Sequence, residues 1–230
     1  MRPGWKPAAD AFREAARAAR ANFIPGLILQ GFLVAFLAVY AGSETARAAL
    51  ADVAVLKREA GYAFAFVGYV FASALLPEVL RVAVFQGFRP GWENLRRFLY
   101  SAPFWGCFGM LVDLLYRVQI LLFGNDSGLL TIALKVVFDQ FVFSPFLGTP
   151  LLVVYFAWVD GERLRDVLAP AEFFRRVVRI QCAGWMVWIP GVALIYWMPA
   201  LLQIPVAILI SAFWVLVFTA VRERQAHRKA

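Results

Sequence analysis

Charge is scarce in this chain. Asp, Glu, Lys and Arg make up 17% of 230 residues, against about 25% in an ordinary soluble domain. That shortage comes with 62% hydrophobic residues and a mean hydropathy of +0.70, which excludes a soluble globular domain and a disordered chain. Cysteine is nearly absent: Cys107 and Cys182 lie in or beside apolar runs and define neither a disulfide framework nor a zinc spacing. Histidine occurs once, as His227 near the C-terminus. No H-E-x-x-H, no G-x-x-x-x-G-K-[ST] and no Gly-x-Gly-Asp is present. The expectation is a protein that is not an enzyme and has no catalytic, cofactor or metal site.

What is abundant is apolar length. A membrane span needs about 20 mainly apolar residues. Candidates are 22–42, about 62–87, about 99–123, and 129–159. The last is too long for one straight crossing and holds Pro145 and Pro150, which predict a kink or half-helix. The run 183–221 has one Gln and no charge, and splits at Pro199 into two short spans. The predicted fold is an all-α polytopic transmembrane helix bundle of about six spans, with both termini on the same side. It divides into a basic amphipathic segment (1–21), an extra span with a connecting loop (22–61), the main bundle (62–221) and a basic tail (222–230).

The +8 net charge supports that count. With six spans, one side carries Arg2, Lys6, Arg13, Arg17, Arg20, Arg89, Arg96, Arg97, Arg163, Arg165, Arg175, Arg176, Arg179, Arg222, Arg224, Arg228 and Lys229; the other has Arg47, Lys57 and Arg58. Positive residues favour the cytoplasmic or matrix side. The charge therefore points to a membrane and not to nucleic acid. Residues 1–21 suit an interfacial helix better than a transit peptide, because Asp10 and Glu14 interrupt the basic pattern. Trp92, Trp158 and Trp197 fall near span ends, as interface anchors do. Gly61/Ala65, Gly68/Ala72, Ser144/Gly148 and Ala207/Ser211 are small pairs that allow helices to approach.

Six charges fall inside the spans, in three pairs one turn apart: Glu78/Arg81, Asp113/Arg117 and Lys135/Asp139. Each pair shares a helix face. A central charge costs about 2.5–3.5 kcal/mol on insertion scales, so these groups must be paired, wet or near an interface. Counting from the turn at Asp126 sets Asp113 and Asp139 at one depth, with Arg117 and Lys135 a turn further out. The same count for the preceding hairpin sets Glu78 beside Gly109 and Arg81 beside Gly106. The expectation is one buried polar cluster, serving either as a structural lock or as the lining of a solute path.

The order of motifs from about 62 to 221 resembles the Mpv-seventeen family, which includes the 22-kDa peroxisomal membrane protein. Lys135, Asp139, Gln140 and Pro145 match its K-x-x-x-D-Q-x-x-x-x-P. Gly109, Tyr116 and Arg117 match upstream positions; Trp185, Trp188, Pro190, Pro199 and Trp214 follow the downstream order. Met110 and Leu115 stand where the family has Pro and Trp, and Gln203 stands for its usual Arg. The resemblance implies a small multi-pass protein of a mitochondrial inner or peroxisomal-type membrane, acting in organelle homeostasis as a weakly selective channel. A bacterial member would sit in the plasma membrane. The implied partners are the lipid bilayer, a small-molecule or ion permeant and a second copy of the chain. The alternative is a scaffold protein whose charges only lock the bundle.

Overall fold

A computed structural model describes residues 23–227, without side-chain detail for a few of them, chiefly 220–227. The expected amphipathic segment and the end of the basic tail lie outside those residues. Among the described residues every element is helical. We number them α1 (Phe23–Gly42), α2 (Glu44–Ala60), α3 (Tyr62–Phe85), α4 (Trp92–Phe123), α5 (Leu129–Val159), α6 (Leu164–Val167), α7 (Pro170–Trp197) and α8 (Ala200–His227). Four are long and apolar enough to cross a membrane: α3, α4, α5 and the first part of α8. Two bent units, 26–60 and 170–197, raise the number to six if each is one span.

Residues 43–61, expected as a connecting loop, instead form α2, which meets α1 at 100°. The local chemistry explains this correction. Ser43 accepts the Ala46 N–H at 3.2 Å as N-cap, Glu44 lies in the first turn, and Lys57 and Arg58 lie in the last. Those charges complement the helix dipole. Gly61, at φ +57°, ends α2 and turns the chain into α3. An L side chain is disfavoured there.

The expected split at Pro199 is where α7 gives way to α8. Within α7 the axis bends by 59° between Trp185 and Val187. Pro190 has no N–H to offer the carbonyl four residues earlier, which frees the chain to bend at that point. In α5 the bonding register widens to π-helical turns over Asp139–Gly148, around Pro145, and Thr149 N–H bonds Ser144 O. A similar turn, Val70–Leu75, precedes Pro77 in α3. Such turns let a helix run past a proline without stopping.

Helix α8 packs against α1, α2, α3 and α7, and α4 packs along α3. The core joins Leu29 and Leu33 of α1 to Tyr69, Tyr116, Val187, Ile195, Ile204 and Ile210. Small residues set the closest approaches. A Cβ on Gly109 would lie 2.7 Å from the Ala65 carbonyl oxygen and 2.6 Å from the Tyr69 ring. Gly68 similarly receives the Ile208 side chain of α8. Trp92, Trp158 and Trp197 are exposed at helix ends.

Candidate functional site: a cavity with a charged rim

The bundle holds a partly open cavity of about 1040 Å³, comparable to the larger ligand pockets of proteins. Its rim is charged. Glu93, Arg96 and Arg97 come from the start of α4, Asp160 from the end of α5, and Arg179 from α7. Glu93 pairs with Arg96 at 3.1 Å and with Arg97 at 3.4 Å. Farther in come Glu78 and Arg81, then Ser73, Tyr69 and Tyr116; the inner end reaches Asp139, Gln140 and Ser211. Trp105, Phe108, Phe143, Trp188 and Trp214 supply apolar wall.

Helix α5 holds the inner end in a hydrogen-bonded chain. Ser144 and Thr149 donate to Gln181 Oε1 at 3.0 and 2.6 Å. Gln181 Nε2 and Trp185 Nε1 donate to the Gln140 carbonyl at 3.2 and 3.3 Å. That carbonyl lies in the π-helical stretch, where Pro145 breaks the regular bonding pattern. Gln140 Nε2 donates to Asp139 Oδ1 at 2.8 Å, and the Tyr196 hydroxyl donates to Asp139 Oδ2 at 2.5 Å. Gln119 Nε2 then donates to the Tyr196 oxygen at 2.8 Å. Tyr116 packs edge-on against Tyr196, with centroids 5.3 Å apart.

The expected single cluster is divided into three. Asp113 accepts from Lys57 Nζ at 2.7 Å, and Arg117 lies 3.3 Å away. Lys57 also donates to the Gly61 carbonyl at 3.0 Å. Lys57 was expected in an outer loop; it is buried instead, because α2 folds back against the bundle. Arg117 is half-exposed and covers the Tyr62 ring at 4.5 Å. Glu78 pairs with Arg81 and accepts from Asn94 Nδ2 at 2.9 Å.

Glu78 does not lie beside Gly109, nor Arg81 beside Gly106. Those glycines receive the rings of Tyr69 and Phe66. The correction comes from the turn. Gly91 starts α4 at Trp92, well before the expected 99, so the hairpin pivots nearer the N-terminus and Glu78 meets Asn94. Lys135 and Asp139 also fail to pair. Asp139 takes the Tyr196 and Gln140 donors, while Lys135 Nζ sits 6.0 Å from the centre of the Tyr196 ring.

Of the motif positions, Asp139, Gln140, Tyr116, Trp188 and Trp214 line the cavity. Trp185 is bonded behind its wall, and Gly109 sets the α3–α4 approach. Pro145 and Pro190 lie inside helices, and the Pro199 carbonyl accepts the Leu202 N–H at 2.7 Å. Sequence reasoning missed Lys57, Ser73, Asn94, Gln119, Gln181 and Tyr196. The two glutamines carried a signal, since an amide buried in an apolar setting needs a partner. Among the described residues no group of three His, Cys, Asp or Glu side chains could hold a metal ion. In comparisons with known proteins, no family model, no curated protein and no solved structure matches the chain.

Proposed function

We propose that the chain is a six-span membrane protein, both termini on the cytoplasmic or matrix side, that conducts small solutes with weak selectivity. The observation that carries this reading is the cavity. It runs from a charged rim to a polar inner end, and the Asp139–Tyr196–Gln119 chain continues from there. A purely apolar packing core has no use for charged and polar groups spaced along such a wall. In this reading the structure is the closed state, with Tyr196 and Tyr116 as the barrier. The Mpv-seventeen resemblance supports it, because Asp139 and Gln140 of the shared motif face the cavity. It also supports a mitochondrial inner or peroxisomal-type membrane, or a plasma membrane in a bacterial source.

Reconstitution into liposomes tests the proposal. Purified protein should give solute leak or conductance, and Asp139→Asn should change conductance or ion preference. Tight vesicles at every voltage and pH tried would overturn it.

The scaffold reading draws on other residues. Lys57–Asp113 ties α2 to α4, and Glu78–Asn94 ties α3 to α4. We assign these two sets to locking the bundle and Asp139 to the path.

A further inference from the structure

We propose that the cavity binds a small organic ammonium ion, with its charged nitrogen at Asp139. The proposal rests on reading the cavity as the entry to a solute path, and names the solute class.

The charges divide by depth. At the rim Glu93 is matched by Arg96 and Arg97, and further in Glu78 is matched by Arg81. Asp160 and Arg179, one of each sign, are both exposed. Beyond them Asp139 is the one lining Asp, Glu, Lys or Arg among the described residues. It is 6% exposed, and the two side chains bonded to it, Gln140 and Tyr196, are neutral. No described side chain forms an ion pair with it. Lys135, one turn away, is the nearest candidate by sequence, but its ammonium faces the Tyr196 ring. Asp113 is already neutralised by Lys57 and Arg117. A carboxylate so far from water gains most from a cation brought to it.

A second observation is independent of that charge. Ser73 lines the same cavity at 6% exposure, and its hydroxyl has no hydrogen-bond partner. Such groups are normally satisfied. A primary ammonium offers three donors, enough for the Asp139 carboxylate and for further acceptors on the cavity wall that Ser73 shares with it. The aromatic wall favours the same guest, because ring faces attract cations and accept a hydrocarbon tail. An anion would meet the carboxylate, and a neutral alcohol would leave its charge uncompensated. A bare metal ion would leave the aromatic wall unused.

The test titrates full-length protein in detergent by calorimetry with butylammonium, butyrate, butanol and potassium chloride. Butylammonium alone should saturate. Asp139→Asn should weaken it by about tenfold or more, and Ser73→Ala by a few-fold. Ser73→Ala removes a hydroxyl with no protein partner, so it keeps the test open if Asp139→Asn does not fold. Equal binding of butyrate, butanol or potassium, or no saturation below about 10 mM, overturns the proposal. Folded Asp139→Asn with unchanged affinity does the same. Flux of neutral glycerol through wild-type liposomes separates the two ideas. Flux without ammonium binding sinks the site alone, and ammonium binding without flux sinks the path alone.

Discussion

At the scale of single residues, the buried charges do different work according to what meets them. Asp113 and Lys57 are each about 5% exposed in the side chain and pair directly. Asp113→Asn strands an ammonium in the bundle, and breaking a buried pair costs about 3–5 kcal/mol. Thermal unfolding in detergent should record that loss, and Lys57→Met with Asp113→Leu should recover most of it. A similar melting temperature for Asp113→Asn and wild type would contradict a structural role. Charges inside spans were visible in the sequence, because a charge among apolar residues stands out. Their partners were not. Lys57 is 56 positions from Asp113, and Tyr196 is 57 positions from Asp139. No helical periodicity relates residues that far apart.

Among elements, close approach depends on a few glycines. Gly109→Ala puts a methyl against a backbone oxygen and the Tyr69 ring, so α3 and α4 must separate. Overpacking of this kind costs about 1–3 kcal/mol. Gly31→Ala on α1 meets nothing within 4 Å, and should gain about 0.5–1 kcal/mol from helix propensity. Opposite shifts in melting temperature would verify the contrast.

The start of α5 has its own lock. Asp126 accepts the Gly128 N–H at 2.8 Å and the Thr131 hydroxyl at 2.9 Å. Those bonds hold its carboxyl below the usual carboxylate range. The folded state therefore favours the ionised form. The stabilisation is present above the unfolded value near pH 4 and fades as pH falls through the lower folded one. The Gly128 amide resonance should shift over that acidic window, and Asp126→Ala should abolish the shift. Helices α1, α3, α4, α5 and α8 could be read from apolar length and prolines; α2, short of apolar length, could not. The start of α4 could not, since the polar stretch WENLRR looks like loop until Gly91 and Asn94 cap it.

For the whole molecule, the six-span proposal fixes sidedness. Arg89 lies in the turn before α4 and Ser127 in the turn after it, both exposed. In a chain with Cys107 and Cys182 replaced by serine, Arg89→Cys and Ser127→Cys should react with an impermeant thiol reagent from opposite faces of a sealed vesicle. Labelling of both from one face would mean that α4 does not cross. The apolar runs that make α3, α4, α5 and the first part of α8 long enough to cross a membrane were legible from sequence alone. The cavity was not, since its wall is assembled from residues of five helices, α3, α4, α5, α7 and α8.

The Lys57–Asp113 pair also bears on how the protein is made. Asp113 follows Lys57 by 56 positions, which takes about 3–11 s to synthesise at typical rates. Throughout that interval Lys57 is a lysine whose partner does not yet exist. The buried Lys57–Asp113 contact therefore forms only after that part of α4 has been made. Helix α2 also packs on α8, the last helix among the described residues, and a chain stalled before Asp113 would leave Lys57 without its counter-charge.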